Sequence, residues 1–518
     1  MESERNFLEE TNYTNVPVEL RHLMYKALNS VQHRGNIEEE ITEALRAPPS
    51  LEEFEEGIQR AKTNSSAGMN GVSYNMLKKL PGPLVKSLHY CLTRLWDKKY
   101  IPEWWTQRWI VPIQKKEQDI VSVGNLRPLI LVDSVRKIWS KLILRRILRI
   151  WKARDLLQHS QHGFTAGRNT MTASFMYINA IEEAVEKDEP IHISSWDITR
   201  AFDSVSKNII RLAWARLGVP ATWVQWLVGL DEKGTSVVRT PHAIRVWDRH
   251  NVKGIKIKSR ISDDDDRKED EDSMEGFIAE RGTGQGDVLS PSCWGAIFDI
   301  LLTMLDLDAK DREARWIRGT SNRRYRMRET AYADDLLSYA NTSQELQRKA
   351  DIVSAFCLVM GLQISTTKLR RFVLVHSGLE TEDTGSTTIH HNDWTSEEIK
   401  IQQEGSMTYL GGMRDMEGST KSALDDMEDT ARKHCAEIQI CAASAQTKVG
   451  IVDISTYGKL RYKGKLIEPT LAELRNIDKV FHQFHTKVTK QMTSFPYDLL
   501  YLSPKYGGGG LSQFSSAP

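Results

Sequence analysis

Hydrophobic residues along this chain change period several times, and each change predicts an element. Over 133–154, DSVRKIWSKLILRRILRIWKAR, apolar positions recur at helical spacing, and the other face carries Arg136, Lys141, Arg145, Arg146, Arg149, Lys152 and Arg154. Between Trp104 and Leu131 the pattern turns strand-like, with RWIVPI and NLRPLILV on either side of a charged turn, KKEQD. Residues 1–60 predict charged helices with little to pack, and Pro48-Pro49 before Ser50 predict a new helix at SLEEFEEGIQRA. SSAGMNGVS predicts a glycine loop leading into a helix at SYNMLKKL. Near the C-terminus, Leu424, Met427, Ala431, Cys435, Ile438 and Ala442 form one stripe. Leu471, Leu474, Phe481, Phe484 and Val488, opened by Pro469, form another, so a small helical domain is expected there.

Composition changes this picture in a few places. With 518 residues, two to four subdomains are expected. The formal net charge is only +1, so no global basic field points to a nucleic-acid partner. Two polar stretches bear on that sum. ISDDDDRKEDEDSMEG (261–276) predicts a mobile acidic loop, and HSGLETEDTGSTTIHHND (376–393) predicts a second loop. An acidic loop can cancel a basic cleft in the total without cancelling it in space. The basic face of 133–154 is therefore open to two readings, a solvated surface or a phosphate-tracking face. Five scattered cysteines without a C-x-x-C pair read as reduced residues, and His482 and His485 lack metal-site spacing. MESERNFLEETNY has no apolar signal core, and no run approaches the ~20 apolar residues of a spanning helix, so a soluble intracellular protein is expected.

Three short motifs carry chemistry. HISSWDITRAFDSVS predicts a strand, with Ile191, Ile193 and Ser195 on one face, that delivers Asp197 at its end before a helix through Ile209, Ile210, Leu212 and Ala213. RGTGQGDVLSPSCWGAIFDILLTML predicts a loop with Gly282, Gly284 and Gly286, where a ligand approaches the backbone closely and Gln285 presents its amide. Ser290 is expected as the N-cap of the helix that follows, with Pro291 at its first position and Trp294, Ile297, Phe298, Leu301 and Leu305 on its buried stripe. TAYADDLLSYA predicts a buried hairpin whose turn displays Asp334 and Asp335. Adjacent carboxylates among apolar residues are costly without a cation, and an all-oxygen set of Asp197, Asp334 and Asp335 suits Mg²⁺.

In this order the motifs resemble the catalytic core of reverse transcriptases, with DITRAFD, GQGDVLSP and YADD standing at the family's three central motifs. The resemblance is to the non-LTR, LINE-type retrotransposon enzymes and covers roughly residues 50–510. SSAGMNGVS, PIQKK with NLRPLILV, QHGFTAGRNT (161–170), GLQISTTK (361–368) and YLGG (409–412) resemble further family segments. Gln114 and Ser365 depart from the residues common in relatives, proline and asparagine. The resemblance implies an α+β right-hand polymerase fold with fingers, a palm of antiparallel sheet and packed helices, and a helical thumb. It implies an N-terminal helical extension (1–60), fingers (61–190), palm (191–400), thumb (401–505) and a flexible tail (506–518). Asp197, Asp334 and Asp335 would be catalytic and hold two Mg²⁺ ions, with Mn²⁺ as the alternative. Lys115 (or Lys116), Arg127, Phe202, Gln285 and Lys368 would bind the deoxynucleotide, Phe202 as a gate against a 2′-hydroxyl and Lys368 as a late proton donor. Arg145, Arg149 and Arg168 would contact nucleic acid.

The implied partners are an RNA template, a DNA or RNA primer, dNTPs and a separate endonuclease, without a membrane, in a nuclear setting. The implied role is RNA-directed DNA synthesis in retrotransposition. No endonuclease span, cysteine/histidine knuckle or RNase H segment is legible, and SPKYGGGGL is where a longer polyprotein would continue. Two competing readings share the palm. An RNA-dependent RNA polymerase is disfavoured by Phe202, and a non-catalytic RNA-binding scaffold by the three intact aspartates.

Overall fold

The structure, a computed structural model, describes residues 12–31, 36–114, 126–239, 244–245, 277–310, 316–318, 324–326, 328–374, 386–391, 395–400, 406–415, 418–491, 496–506, 509 and 511–515. Lys115, Lys116 and the acidic 261–276 stretch lie outside the described residues.

β1 (Arg108–Gln114) and β2 (Leu126–Leu131) pair antiparallel, Trp109 opposite Leu131 and Gln114 opposite Leu126, as their apolar runs predict. β3 (Ile191–Trp196) follows, then β4 (Thr235–Arg239), β5 (Ile244–Arg245) and β6 (Phe277–Ile278). β4 lies parallel to β1 and carries β5 and β6, so the hairpin sheet is completed by residues far downstream. β7 (Trp316–Arg318) and β8 (Arg324–Arg326) pair with each other. β9 (Thr330–Tyr332), β10 (Asp335–Ala340) and β11 (Arg370–Leu374) join β3 in a central sheet of order β11-β3-β10-β9, antiparallel throughout. β12 (Thr387–His390) pairs with β13 (Ser396–Ile399), and β14 (Ser406–Tyr409) with β15 (Gly412–Asp415). Part of the expected 376–393 loop is therefore a strand, because Ile389 is fully buried in the main core.

The N-terminal helices correct the expectation that 1–60 has little to pack. Helices Val18–Asn29, Ile37–Ala44 and Leu51–Arg60 bury Met24, Ile41 and Phe54 completely, and they join the core shared by helices Ser134–Ala153 and Ser290–Lys310. Apolar residues are few there but fall on single faces, so each is used. Ser50 caps the third helix as expected, accepting from Glu53 N at 3.1 Å, while the Glu53 carboxylate accepts from Ser50 N at 2.8 Å.

These helices also cover part of the basic face of Ser134–Ala153. Arg146 donates to the carbonyls of Ala44 and Ala47 and to Glu53, Arg154 pairs with Glu40, and Arg145 stands 3.5 Å from Glu56. Arg149 remains exposed. Arg136 is misplaced on that outer face. It is fully buried, donating to the Trp105 carbonyl at 2.6 Å, to Asp231 at 3.0 Å and to Asp287. Arg108, on β1, shares Asp231 at 3.0 Å and donates to Ser236 on β4 at 2.7 Å. Burial opposes the ionised Asp231 carboxyl, but the Arg108 and Arg136 guanidiniums outweigh it and hold its pKa below the usual range.

The C-terminal helices Lys421–Ile440, Ala445–Ile451, Tyr457–Ile467 and Leu471–Thr489 enclose a separate core that includes Met427, Ala431, Leu460, Phe481 and Phe484. Two assigned stripe members are outside it. Ala442 lies beyond its helix and is exposed, and Leu471, at a helix start, is 55% exposed. Residues 511–515, part of the segment expected as a flexible tail, dock here. Phe514 is buried in this core, its amide and that of Ser515 donate to the buried Asp478 carboxylate, and Tyr457 donates to the Ser512 carbonyl at 2.9 Å. Among the described residues no helix is long and apolar enough to cross a membrane.

His485 gives this unit an acid sensitivity. It is fully buried, and neither ring nitrogen has a hydrogen-bond partner among the described residues. Burial, aided by His482, lowers its pKa from 6.5 to about 4. The unfolded chain therefore binds a proton near pH 6.5 that the folded chain refuses until about pH 4. Stability is full above that window and falls as pH drops through it, by on the order of 3 kcal/mol. Denaturant unfolding of the His485→Leu chain should show a flatter dependence between pH 7 and 4. An unchanged slope would remove His485 as the cause.

Candidate active site

The central sheet brings the three acidic positions to one edge. β3 and β10 are antiparallel neighbours with Trp196 opposite Leu336. Asp197 follows the last residue of β3, and the β9–β10 hairpin closes with Tyr332 opposite Asp335, so Asp334 lies in its two-residue turn and Asp335 opens β10. The hairpin forms because Ala331, Leu336 and Leu337 are buried on either side of the turn. Asp197 and Asp334 follow the strand-end and hairpin-turn expectations, whereas Asp335, expected in the turn, is the first residue of the strand.

A fourth side chain joins them. The 361–368 segment is zipped along the chain leaving β3, with Thr199 N donating to the Gln363 carbonyl and Ser365 N to the Asp197 carbonyl, each at 2.8 Å. Lys368 thereby reaches Asp197, its Nζ 3.2 Å from Oδ1 and 3.1 Å from Oδ2. Partial burial in the cleft raises the Asp334 pKa, repulsion from Asp197 adds to it, and Lys368 and Arg127 oppose it. Asp335 is pushed up to about 6 by the same desolvation and by Asp334 and Asp197, although one side of it is open to solvent.

This donor set fits a hard divalent cation. Raised carboxylate pKa values mark a site short of positive charge, which bound cations supply. The ammonium of Lys368 now sits where charge is needed. Among the described residues no three acidic, histidine or cysteine side chains close on one point.

The glycine loop stands against β2. Ile130 N donates to the Gln285 carbonyl at 2.7 Å, and a Cβ on Gly284 would lie 2.2 Å from Ile130 Cδ1. Any larger residue there would have to displace the Ile130 side chain. Gln285 Nε2 is 3.4 Å from the Asp203 carboxylate, Thr283 N donates to the Phe202 carbonyl at 2.7 Å, and the Phe202 ring rests on Trp294 with centroids 5.4 Å apart. Ser290 departs from its expected capping duty, since its hydroxyl donates to the Gly284 carbonyl at 2.6 Å and closes the loop. Arg127 is exposed on β2 opposite Ile113, close enough to weigh on Asp334.

Residues 113–413 match the family described as reverse transcriptase (RNA-dependent DNA polymerase). The chain belongs to the reverse transcriptase family. It is 22% identical to the Pol polyprotein of a type-1 retrotransposable element R2 from Nasonia vitripennis, over 93% of this chain and 42% of that protein. A Popillia japonica R2 polyprotein is 22% identical over 80% of this chain and 52% of its own length. A probable RNA-directed DNA polymerase from transposon BS of Drosophila melanogaster is 28% identical over 30% of this chain and 17% of its own. The chain thus spans about half or less of these relatives.

Within this reverse transcriptase palm, the structure sets Asp197, Asp334, Asp335, Lys368 and Arg127 within electrostatic reach of one another and places Gln285 beside Asp203. It does not bring the other three arginines there. Arg145 and Arg149 lie along the Ser134–Ala153 helix, and Arg168 is turned onto carbonyls of its own segment, Gln161 O among them at 2.9 Å. Sequence reasoning missed Gln161 and Asp203 as neighbours of the site. Both stood inside quoted motifs, which was the available signal.

Proposed function

We propose that the chain is an RNA-directed DNA polymerase that extends a primer 3′-hydroxyl with dNTPs on an RNA template, in retrotransposition. The observation that carries this is the approach of Asp197 to the Asp334-Asp335 pair, where burial, with like charge added, raises two carboxyl pKa values in a reverse transcriptase palm. The β1–β2 sheet serves as fingers and the C-terminal helical unit as thumb. Asp197, Asp334 and Asp335 would hold Mg²⁺, which when bound activates the 3′-hydroxyl and stabilises the leaving pyrophosphate. Arg127 grips the triphosphate from the finger strand. Lys368 exchanges Asp197 for phosphate and stands ready to donate a proton. Nucleic acid lies against the glycine loop, and a separate endonuclease is the expected partner.

Primer extension with dNTPs, Mg²⁺ and an RNA template tests this. DNA product supports it. Binding of RNA without product from any primer would favour the scaffold reading instead.

Phe202 is set as the sugar gate, its ring held against Trp294. Phe202→Val should admit ribonucleotides, narrowing dNTP-over-rNTP discrimination roughly tenfold or more while dNTP extension continues. Equal selectivity in the two enzymes would place the gate elsewhere.

A further inference from the structure

The QHGFTAGRNT segment has no part in the chemistry above, yet it holds the aspartate turn more closely than any catalytic side chain does. Gln161 is buried, and its Oε1 accepts from Ala333 N at 3.0 Å and from Gly163 N at 2.8 Å. Its Nε2 donates to the Ala333 carbonyl at 3.1 Å. One side chain thus satisfies both polar groups of the residue preceding Asp334, as a neighbouring strand would. The backbone does the same beside it, with His162 N donating to the Ala331 carbonyl at 2.7 Å and Ala331 N to the Ser160 carbonyl at 2.9 Å. Gly163 allows the approach, because a Cβ there would lie 2.3 Å from Ala333 N.

The turn needs such a hold. Ala333 has φ 60°, a left-handed conformation that is unfavourable for a residue with a Cβ. A relaxed turn would re-aim Asp334 by an ångström or more. Trp294 Nε1 supports the same carbonyl at 2.9 Å, but nothing besides Gln161 is bonded to the Ala333 amide among the described residues. Behind Gln161 stands Arg168. It donates to the Gln161 carbonyl at 2.9 Å, to the His159 carbonyl and to His159 Nδ1 at 2.8 Å, while His159 Nε2 meets Asp155 at 3.0 Å. The guanidinium faces its own chain.

We propose that Gln161 is a positioning residue that locks the Ala333 peptide and so aims Asp334, and that Arg168 pins Gln161 and does not contact nucleic acid. This rests on the polymerase reading of the site. Misplacing a reacting group by about 1 Å costs on the order of 100-fold. Gln161→Met, of similar length and without hydrogen bonds, should extend primers about 100-fold more slowly at saturating dNTP. Template–primer affinity should stay within about twofold, because no phosphate contact is lost. Hydrogen exchange at the Ala333 amide should become fast. Arg168→Ala should slow extension by about tenfold with the salt slope of binding unchanged. Gln161→Glu, nearly the same shape, keeps an acceptor and loses the donor, so an intermediate rate is expected; it serves if the Met variant does not fold.

Wild-type rate and exchange in the Gln161 variants would overturn the proposal. So would an Arg168→Ala chain that keeps its rate and loses about one unit of salt slope, the mark of a phosphate contact. If the wild type itself makes no product, the polymerase reading fails, and the exchange measurement still decides whether the clamp exists.

Discussion

An Asp334→Ala chain should extend a primer on an RNA template at least about 1000-fold more slowly than wild type, while melting at the same temperature or slightly higher. The two halves of this result come from the same geometry. Asp334 lies in the hairpin turn beside Asp197, where desolvation and like charge disfavour its ionised form, so deleting the carboxyl relieves the fold. On the proposed polymerase reading, the same carboxylate is indispensable to the reaction. Preorganised charge at the reacting phosphoryl group is commonly the largest catalytic term, and one lost donor already costs about 100- to 1000-fold. A lost metal ligand belongs at or above the upper end. The measurement is single-turnover extension beside a melting curve. Activity above a tenth of wild type would show that the reacting centre lies elsewhere.

The largest stability effect should come from Arg136→Met, a residue that touches no substrate. Its removal leaves Asp287 and Asp231 buried with Arg108 as the remaining guanidinium. Breaking a buried pair costs about 3–5 kcal/mol, because the stranded carboxylate keeps its desolvation penalty. An exposed pair such as Arg46 with Glu43 contributes about 0–1 kcal/mol, so Arg46→Met should pass unnoticed. For Arg136→Met the melting temperature should fall by on the order of 3–5 °C. A second change, Asp287→Leu, should restore part of the loss by removing one stranded charge. No fall in the single variant, or no recovery in the double, would show that the network carries little energy.

Legibility followed distance along the chain. Asp197, Asp334 and Asp335 were readable because each is fixed by its own strand or turn, whose apolar pattern spans a few residues. The β1–β2 hairpin was readable for the same reason. Arg136 was misread because helical spacing reports which positions share a face and not what covers the first turn; its roof comes from Asp231 and Asp287. Gln161 was quoted but given no task, since its partner lies 172 residues away. The C-terminal run of glycines suggested slack chain, and that composition hid a single aromatic anchor, Phe514, with a buried carboxylate waiting for its amide. Local patterns speak for local structure, and the failures at Arg136, Gln161 and Phe514 are long-range.

The parallel pairing of β1 with β4 has a consequence for how the chain is made. Arg108 emerges 123 residues before Asp231, and Arg136 emerges 151 residues before Asp287. At a ribosomal speed of about 5–20 residues per second, the hairpin sheet waits about 6–30 s with one edge bare and two guanidiniums uncompensated. A bare strand edge recruits other chains, so this interval is the opening for aggregation. Slow codons placed between 140 and 230 would prolong it and lower the yield of native chain, whereas the same codons after 310 would leave the yield unchanged.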